Sequence, residues 1–354
     1  MLALDYASQW QVALACSVAC ALVCETIGVA FARWTAKQPW WERALPIMRQ
    51  TCYNFGFSKE PSPEFPDGTS DAIVLDLWSA VNAHVVVHFV CGGLMIPVIV
   101  AGAWAAATPF ARNAFILGTL CDVGFDLYHG CRVATATFAS RDFLGRLGWE
   151  KNPAAMMVLT VLHHTLSVSM VIPMNHAYIE LDDYRFICFS LLFAAAVCFS
   201  LNSYKMTLDV TVRGDFMVFK VITVIQLVTI FYTRIWNWFQ AVYRICRHFS
   251  AAGDVAFYRG GLVCAGFMTV FNLALMNDAV ETFIKWIPKP LPTPTTRGDT
   301  QKLVRELSRS CSLGSELSLS GRKPGRFRAA ARRIIAEKRL STVDSDPSGS
   351  RKED

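Results

Sequence analysis

The sequence predicts an all-α polytopic membrane protein of about seven transmembrane helices. Of its 354 residues, 53% are hydrophobic and only 18% charged, which is too apolar for a soluble chain of this length. Apolar runs of roughly the 20 residues that a bilayer crossing requires recur along it. The formal charge of +6 lies outside those runs. From Lys289 onward there are 15 Lys and Arg against 8 Asp and Glu, so the end of the chain is the basic part.

In chain order, the first apolar run covers Trp10 to Arg33, with no basic residue before it and Arg33, Lys37 and Arg43 after it. A secretory signal has a basic leader and a shorter apolar core, so this run reads as a retained helix whose N-terminus is lumenal. The following stretch, WTAKQPWWERALPIMRQTCYNFGFSKEPSPEFPDGTSD, mixes Trp, Arg and Pro as an interfacial segment and loop do. Further spans are expected from Leu77 to Ala106, Asn113 to Val133, Ala154 to Tyr178, Arg185 to Tyr204, Phe216 to Tyr243 and Gly260 to Trp286.

An odd number of spans then puts the C-terminus in the cytosol. The loops rich in Lys and Arg (33–71, 132–151, 205–213) agree, as does the acidic turn IELDDYR, whereas Arg244, Arg247 and Arg259 fall on the opposite side. After Trp286 the spacer PKPLPTPTT cannot continue a helix. The remaining residues are rich in Ser, Arg and Gly and read as disordered, with Phe327 to Leu340 able to form a basic amphipathic helix on anionic lipid. Three regions follow: 1–70, an N-terminal helix and cytosolic interfacial loop; 71–287, a membrane domain; and 288–354, a disordered basic cytosolic tail. Membrane lipid, with anionic lipid at the tail, is the expected partner, and nucleic acid is not.

Most of the twelve cysteines stand in apolar runs, where cysteine acts as a small hydrophobe. Cys16, Cys20 and Cys24 form a helical stripe without the His or carboxylate company of a metal site.

The informative residues are polar ones inside the spans. An ionisable side chain at that depth costs roughly 2.5 to 3.5 kcal/mol on insertion scales, so it faces a partner or a cavity. In GTLCDVGFDLYHG, Asp122, Asp126 and His129 share one helix face. In TVLHHTLSVSMVIPMNHAY, His163 and His164 stand about 100° apart, with Asn175 three turns beyond His164. An imidazole can take a proton from a nucleophile and return it, or carry an acyl group on nitrogen; equally, two histidines can serve as polar glue between helices. His84 and His88 in NAHVVVH stand at i and i+4, a spacing that suits a metal. A membrane di-iron enzyme, however, needs about eight or more histidines in clustered motifs, and this chain has seven and no HxxHH, so no metal is expected. Asn202, Lys220, Gln226, Asn272, Asn277, Asp278 and Glu281 complete a polar set that could line a tunnel among the helices.

The order of these motifs resembles the TLC domain family. LHHTLSV is similar to that family's LHH element, GTLCDVGFDLYHG to its preceding Asp-bearing helix, FSLNSYKM to a later segment of the PFLNLRW type, and FMVFKVITV to its FFLVRI-like helix, with Lys220 at the basic position. The likeness covers Asp71 to Trp286. It implies a TLC-type barrel of six helices around a lipid-accessible cavity, in the endoplasmic reticulum membrane, with one additional N-terminal helix here. It also implies that His163 and His164 are the functional pair.

Ceramide synthases of that family carry a second motif, with His and Asp, some 25 residues after the pair. Here that region reads RFICFSLLFAAAV. The non-synthase branch, whose members are associated with membrane lipid composition, transport or sensing, is therefore the closer resemblance. Lipid would be held by His163, His164, Asn175, Asn202, Lys220, His84, His88 and Asp278, without a cofactor. The alternative is an acyltransferase using acyl-CoA as substrate to N-acylate a sphingoid base, with His163, His164, Asp122, Asp126 and His129 catalytic. A seven-helix receptor is suggested by span count alone.

Overall fold

Helices appear where the apolar runs predict them, and the computed structural model of the chain describes them over residues 4–54, 71–138 and 163–292. All of these fall in one unit, Met1–Ser315; the second, Glu316–Asp354, lies outside the described residues. So do the expected tail helix from Phe327 to Leu340 and the start of the fourth span.

The elements are α1 (Tyr6–Thr35), α2 (Trp41–Asn54), α3 (Asp71–Ala101), a short 3₁₀ turn (Trp104–Ala106), α4 (Pro109–Phe138), α5 (Thr165–Ala177), α6 (Asp182–Lys205), α7 (Arg213–Ile230), α8 (Trp238–Ala251) and α9 (Val255–Trp286). Seven π-helical residues, Phe231–Asn237, join α7 to α8 without a break. No strand occurs among the described residues.

Five helical stretches are long and apolar enough to cross a membrane: Tyr6–Thr35, Trp78–Ala101, Asp182–Lys205, Arg213–Ala251 and Val255–Trp286. The chain is thus a multi-pass membrane protein. The expected third span is helical throughout, but α4, which carries Asp122, Asp126, His129 and Arg132, is not among those five. Of the fourth, the structure describes only the part from His163.

Local chemistry sets the ends. Asp5 caps α1 by accepting from the Ser8 amide at 2.7 Å, and Asp254 caps α9 by accepting from the Phe257 amide at 3.1 Å. Gly102 and Gly253 follow α3 and α8 with φ of 77° and 70°, the left-handed turn that only glycine enters freely. On α1, Leu14, Val18 and Leu22 are exposed along one face, while Ala13, Cys20 and Cys24 are buried along the other. That apolar outer stripe is suited to acyl chains.

α1 packs on α3 and α4. Beyond it the contacts run α3 to α4, α4 to α5, α5 to α9, α9 to α7, α7 to α6 and α6 back to α3. Small residues bring the helices close, as membrane helices require. A Cβ on Gly124 of α4 would lie 2.7 Å from Cys16 Cβ and 2.8 Å from the Ala13 carbonyl of α1, and one on Gly118 would lie 2.8 Å from the Cys91 carbonyl of α3. The ten described cysteines are free, and Cys16 Sγ stands 3.4 Å from Cys121 Sγ in the α1–α4 contact. Trp40 and Trp41 at the start of α2 cluster with Trp34 and Trp78, giving the interfacial segment an aromatic anchor.

The basic residues on the unexpected side are partly accounted for. At about 1.5 Å per residue the stretch 213–251 is about 58 Å long, nearly twice the hydrocarbon thickness, so its ends project beyond the membrane. Arg244, near one end, grips both carboxylate oxygens of Asp183 in the acidic turn at 2.7 to 2.9 Å. In the same turn Arg185 is buried against the Trp104 ring and bonds the carbonyls of Ile179 and Gly102 and the carboxylate of Asp182.

Candidate functional site

Five of the seven histidines gather where α3, α4, α5 and α9 meet. α3 presents His84 and His88 one turn apart; α4 presents Asp126 and His129; His163 and His164 lie in π-wound backbone leading into α5. Pi-type turns inside helices are frequently found at functional sites.

The core of the cluster is a string of three side chains. Asp126 Oδ1 lies 2.6 Å from His164 Nδ1, and His164 Nε2 lies 2.9 Å from His129 Nδ1. Asp126 and His164 are only 4% and 6% exposed. His164 Nδ1 meets Asp126 as a close charge contact and not as an aligned hydrogen bond; a carboxylate at that distance favours the neutral tautomer that carries the His164 proton on Nδ1. Its Nε2 must then accept, and His129 Nδ1 must donate. That leaves His129 Nε2 as the basic end of the string.

Around this string the other rings form an aromatic wall. Phe125 stacks on His129 at 5.6 Å between centroids and meets His84 and His88 at 5.1 and 5.0 Å. His84 stands edge-on to His129 at 4.9 Å. His88 Nδ1 bonds the His84 carbonyl at 2.7 Å, so Nδ1 is its donor and Nε2 its acceptor. His163 lies flat on Phe271 of α9 at 4.6 Å, and its Nδ1 is buried without a hydrogen bond, as are His84 Nε2 and His164 Nδ1.

Not every residue expected at the site is brought there. Asp122, one turn before Asp126, forms no hydrogen bond with an imidazole among the described residues. Asn175 is consumed in helix packing: it donates to Thr119 Oγ1 at 2.7 Å and accepts from the Tyr184 hydroxyl at 2.8 Å. Lys220 Nζ donates to the Ile287 carbonyl at 2.9 Å and to the Lys289 carbonyl, where it caps the end of α9. Asn202 lies on α6, near the α3 contact made by Ser203 and Asn82. Asp278 is exposed, and Asn277 bonds Glu281 on the outside of α9.

Three residues at the site were not singled out from the sequence. Phe125 and Phe271 are ordinary apolar residues until a neighbour is known. Arg234, in the π-helical segment, did carry a signal: it is a lone cation inside the apolar aromatic run FYTRIWNWF. Its guanidinium stands 5.7 Å from the centre of Phe271 and bonds Asn272 Oδ1 at 3.1 Å.

Asp126, His163 and His164 bring one ligand atom each to within 4.8 Å of one another. Three protein ligands are the number an open catalytic zinc site uses, but two of these three are paired directly with each other. No known family profile, curated protein or solved structure matches the chain.

Proposed function

We propose that this is a TLC-type membrane protein that takes lipid to the histidine cluster and thereby sets membrane lipid composition, by transferring an acyl group from acyl-CoA to a lipid amine or hydroxyl. The observation that carries this reading is the Asp126–His164–His129 string. It supplies, from α4, the carboxylate and second imidazole missing from RFICFSLLFAAAV after the histidine pair. The circuit of contacts α3–α4–α5–α9–α7–α6 supports a six-helix barrel, with α1 outside it. In this reading the N-terminus is lumenal, the basic tail is cytosolic and engages anionic lipid, and the membrane is that of the endoplasmic reticulum.

His129 Nε2, or the unbonded nitrogen of His163, accepts the proton of the attacking amine or hydroxyl. The nucleophile adds to the thioester carbonyl, the C–S bond breaks, and the proton passes to the departing thiolate. His164 holds His129 in its tautomer, and Asp126 holds His164. The products are an amide or ester and free CoA.

A second reading, lipid binding and transport without covalent chemistry, is favoured by the lack of His or Asp in 185–197. Purified protein given labelled acyl-CoA and a sphingoid base separates the two. Acyl transfer predicts labelled amide from the wild type and at least a hundredfold less, as is usual for loss of a general base, from the variant carrying both His163→Ala and His164→Ala. Wild-type protein that binds the base but forms no product establishes the second reading instead.

A further inference from the structure

The imidazole string makes no use of Arg234, whose position is costly. The residue sits near the middle of the continuous helix 213–251 and is 8% exposed. Among the described residues no carboxylate lies within ion-pair distance of it. A cation at such a depth normally pairs with an anion, with a carbonyl or with a passing substrate; here its hydrogen bond goes to an uncharged amide oxygen, that of Asn272.

Asn272 supplies the second observation. It is 0% exposed, and because a guanidinium only donates, its amide must turn the oxygen to Arg234. The amide nitrogen is thereby left beside the guanidinium, buried and without an acceptor. A fixed cation and a neighbouring unsatisfied N–H donor are the complement of an oxyanion, and a guanidinium fork suits a carboxylate or phosphate. Phe271, the residue before Asn272, carries the stacked His163 ring at 4.6 Å and has the Arg234 guanidinium 5.7 Å from its centre, so one ring contacts both His163 and Arg234.

We propose that Arg234 and Asn272 form an oxyanion subsite that selects lipids with a carboxylate or phosphate head and seats that head beside Phe271, next to His163. The proposal rests on the histidine cluster receiving lipid but does not require acyl transfer. It names the substrate class: an acyl lipid bearing an anionic head. An uncharged lipid would leave both donors unsatisfied, as one partner missing from a buried polar pair always does.

The test is equilibrium binding to the full-length protein in uncharged detergent, without acyl-CoA, using oleate, oleoyl lysophosphatidic acid and oleyl alcohol as probes and inorganic phosphate as competitor. The expected result is that at least one of the two anions binds wild type about tenfold or more tightly than the alcohol does, the range of a hydrogen bond to a charged group. Arg234→Gln should narrow that preference to about twofold or less, Arg234→Lys should restore part of it, and Asn272→Ala should weaken it severalfold.

Equal affinity of wild type for the alcohol and both anions overturns the proposal, whether or not Arg234→Gln folds. So does a folded Arg234→Gln protein that keeps the full preference. Displacement of the lipids by phosphate at micromolar concentration reassigns the subsite to a free anion and overturns the lipid assignment. If the wild type shows the preference but no acyl transfer, the acyltransfer reading alone has failed.

Discussion

Two aspartates one turn apart on α4 have different fates. Asp126 lies 2.6 Å from His164, whereas Asp122 bonds no imidazole. Asp126→Asn removes the charge that holds the His164 proton on Nδ1 and lets the string reverse its tautomers. If the cluster transfers acyl groups, this change should lower kcat about a hundredfold or more with little change in KM, while Asp122→Asn leaves kcat within a few fold; steady-state kinetics of the two purified variants make the comparison. The sequence placed both carboxylates on one face but could not separate them, since the 40° between positions i and i+4 is resolved only by where α5 lies. Lys220 and Arg234 show the same limit. Both are lone cations in apolar helices, and only the packing reveals that Lys220 caps α9 while Arg234 adjoins Phe271.

At the scale of elements, helix existence was legible because it rests on apolar runs and caps that are local in the chain. Helix boundaries were less so: the sixth span grows from 216–243 to 213–251 because α8 runs on past Tyr243 to Ala251, where Ile245, Cys246 and Phe249 are buried among polar neighbours that interrupt the apolar run. Helix proximity was not legible, because a glycine marks a possible close approach without naming the partner. Gly124→Leu would drive side-chain atoms into the α1 backbone. A loss of about 1 to 3 kcal/mol, typical of overpacking, is expected, read as a lowered unfolding midpoint in detergent and as increased proteolysis of α1.

The Tyr178–Asp254 contact ties the end of α5 to the cap of α9. The Tyr178 hydroxyl donates to Asp254 at 2.7 Å and, with the Phe257 amide second, holds the Asp254 carboxyl below its ordinary range. A depressed carboxyl stabilises the fold above the free-acid value, near 3.8, and ceases to do so as pH falls through its folded value. The destabilisation caused by Asp254→Ala should accordingly be the same at about pH 7 and pH 5, and should shrink below about pH 3.8. Thermal unfolding of wild type and variant across that range measures it.

For the whole molecule, composition and apolar runs alone were enough for a multi-pass membrane protein, since five helices of membrane-crossing length and apolarity cannot be hidden in a soluble core of this size. What composition could not show is which residues the circuit of helices encloses. The histidines belong to α3, α4 and the approach to α5, whereas Phe271, Arg234 and Asn272 belong to the portion from 231 to 286. The two groups meet through one stacked pair, His163 on Phe271. A lipid whose head is held by Arg234 and whose reacting group lies at the imidazoles would therefore bridge two stretches of chain that pack there through His163 on Phe271 and Leu166 against the cluster of Trp238, Met268 and Phe271. Such a ligand would be a fastener: the molecule proposed as substrate would also draw together the two stretches of chain that hold it.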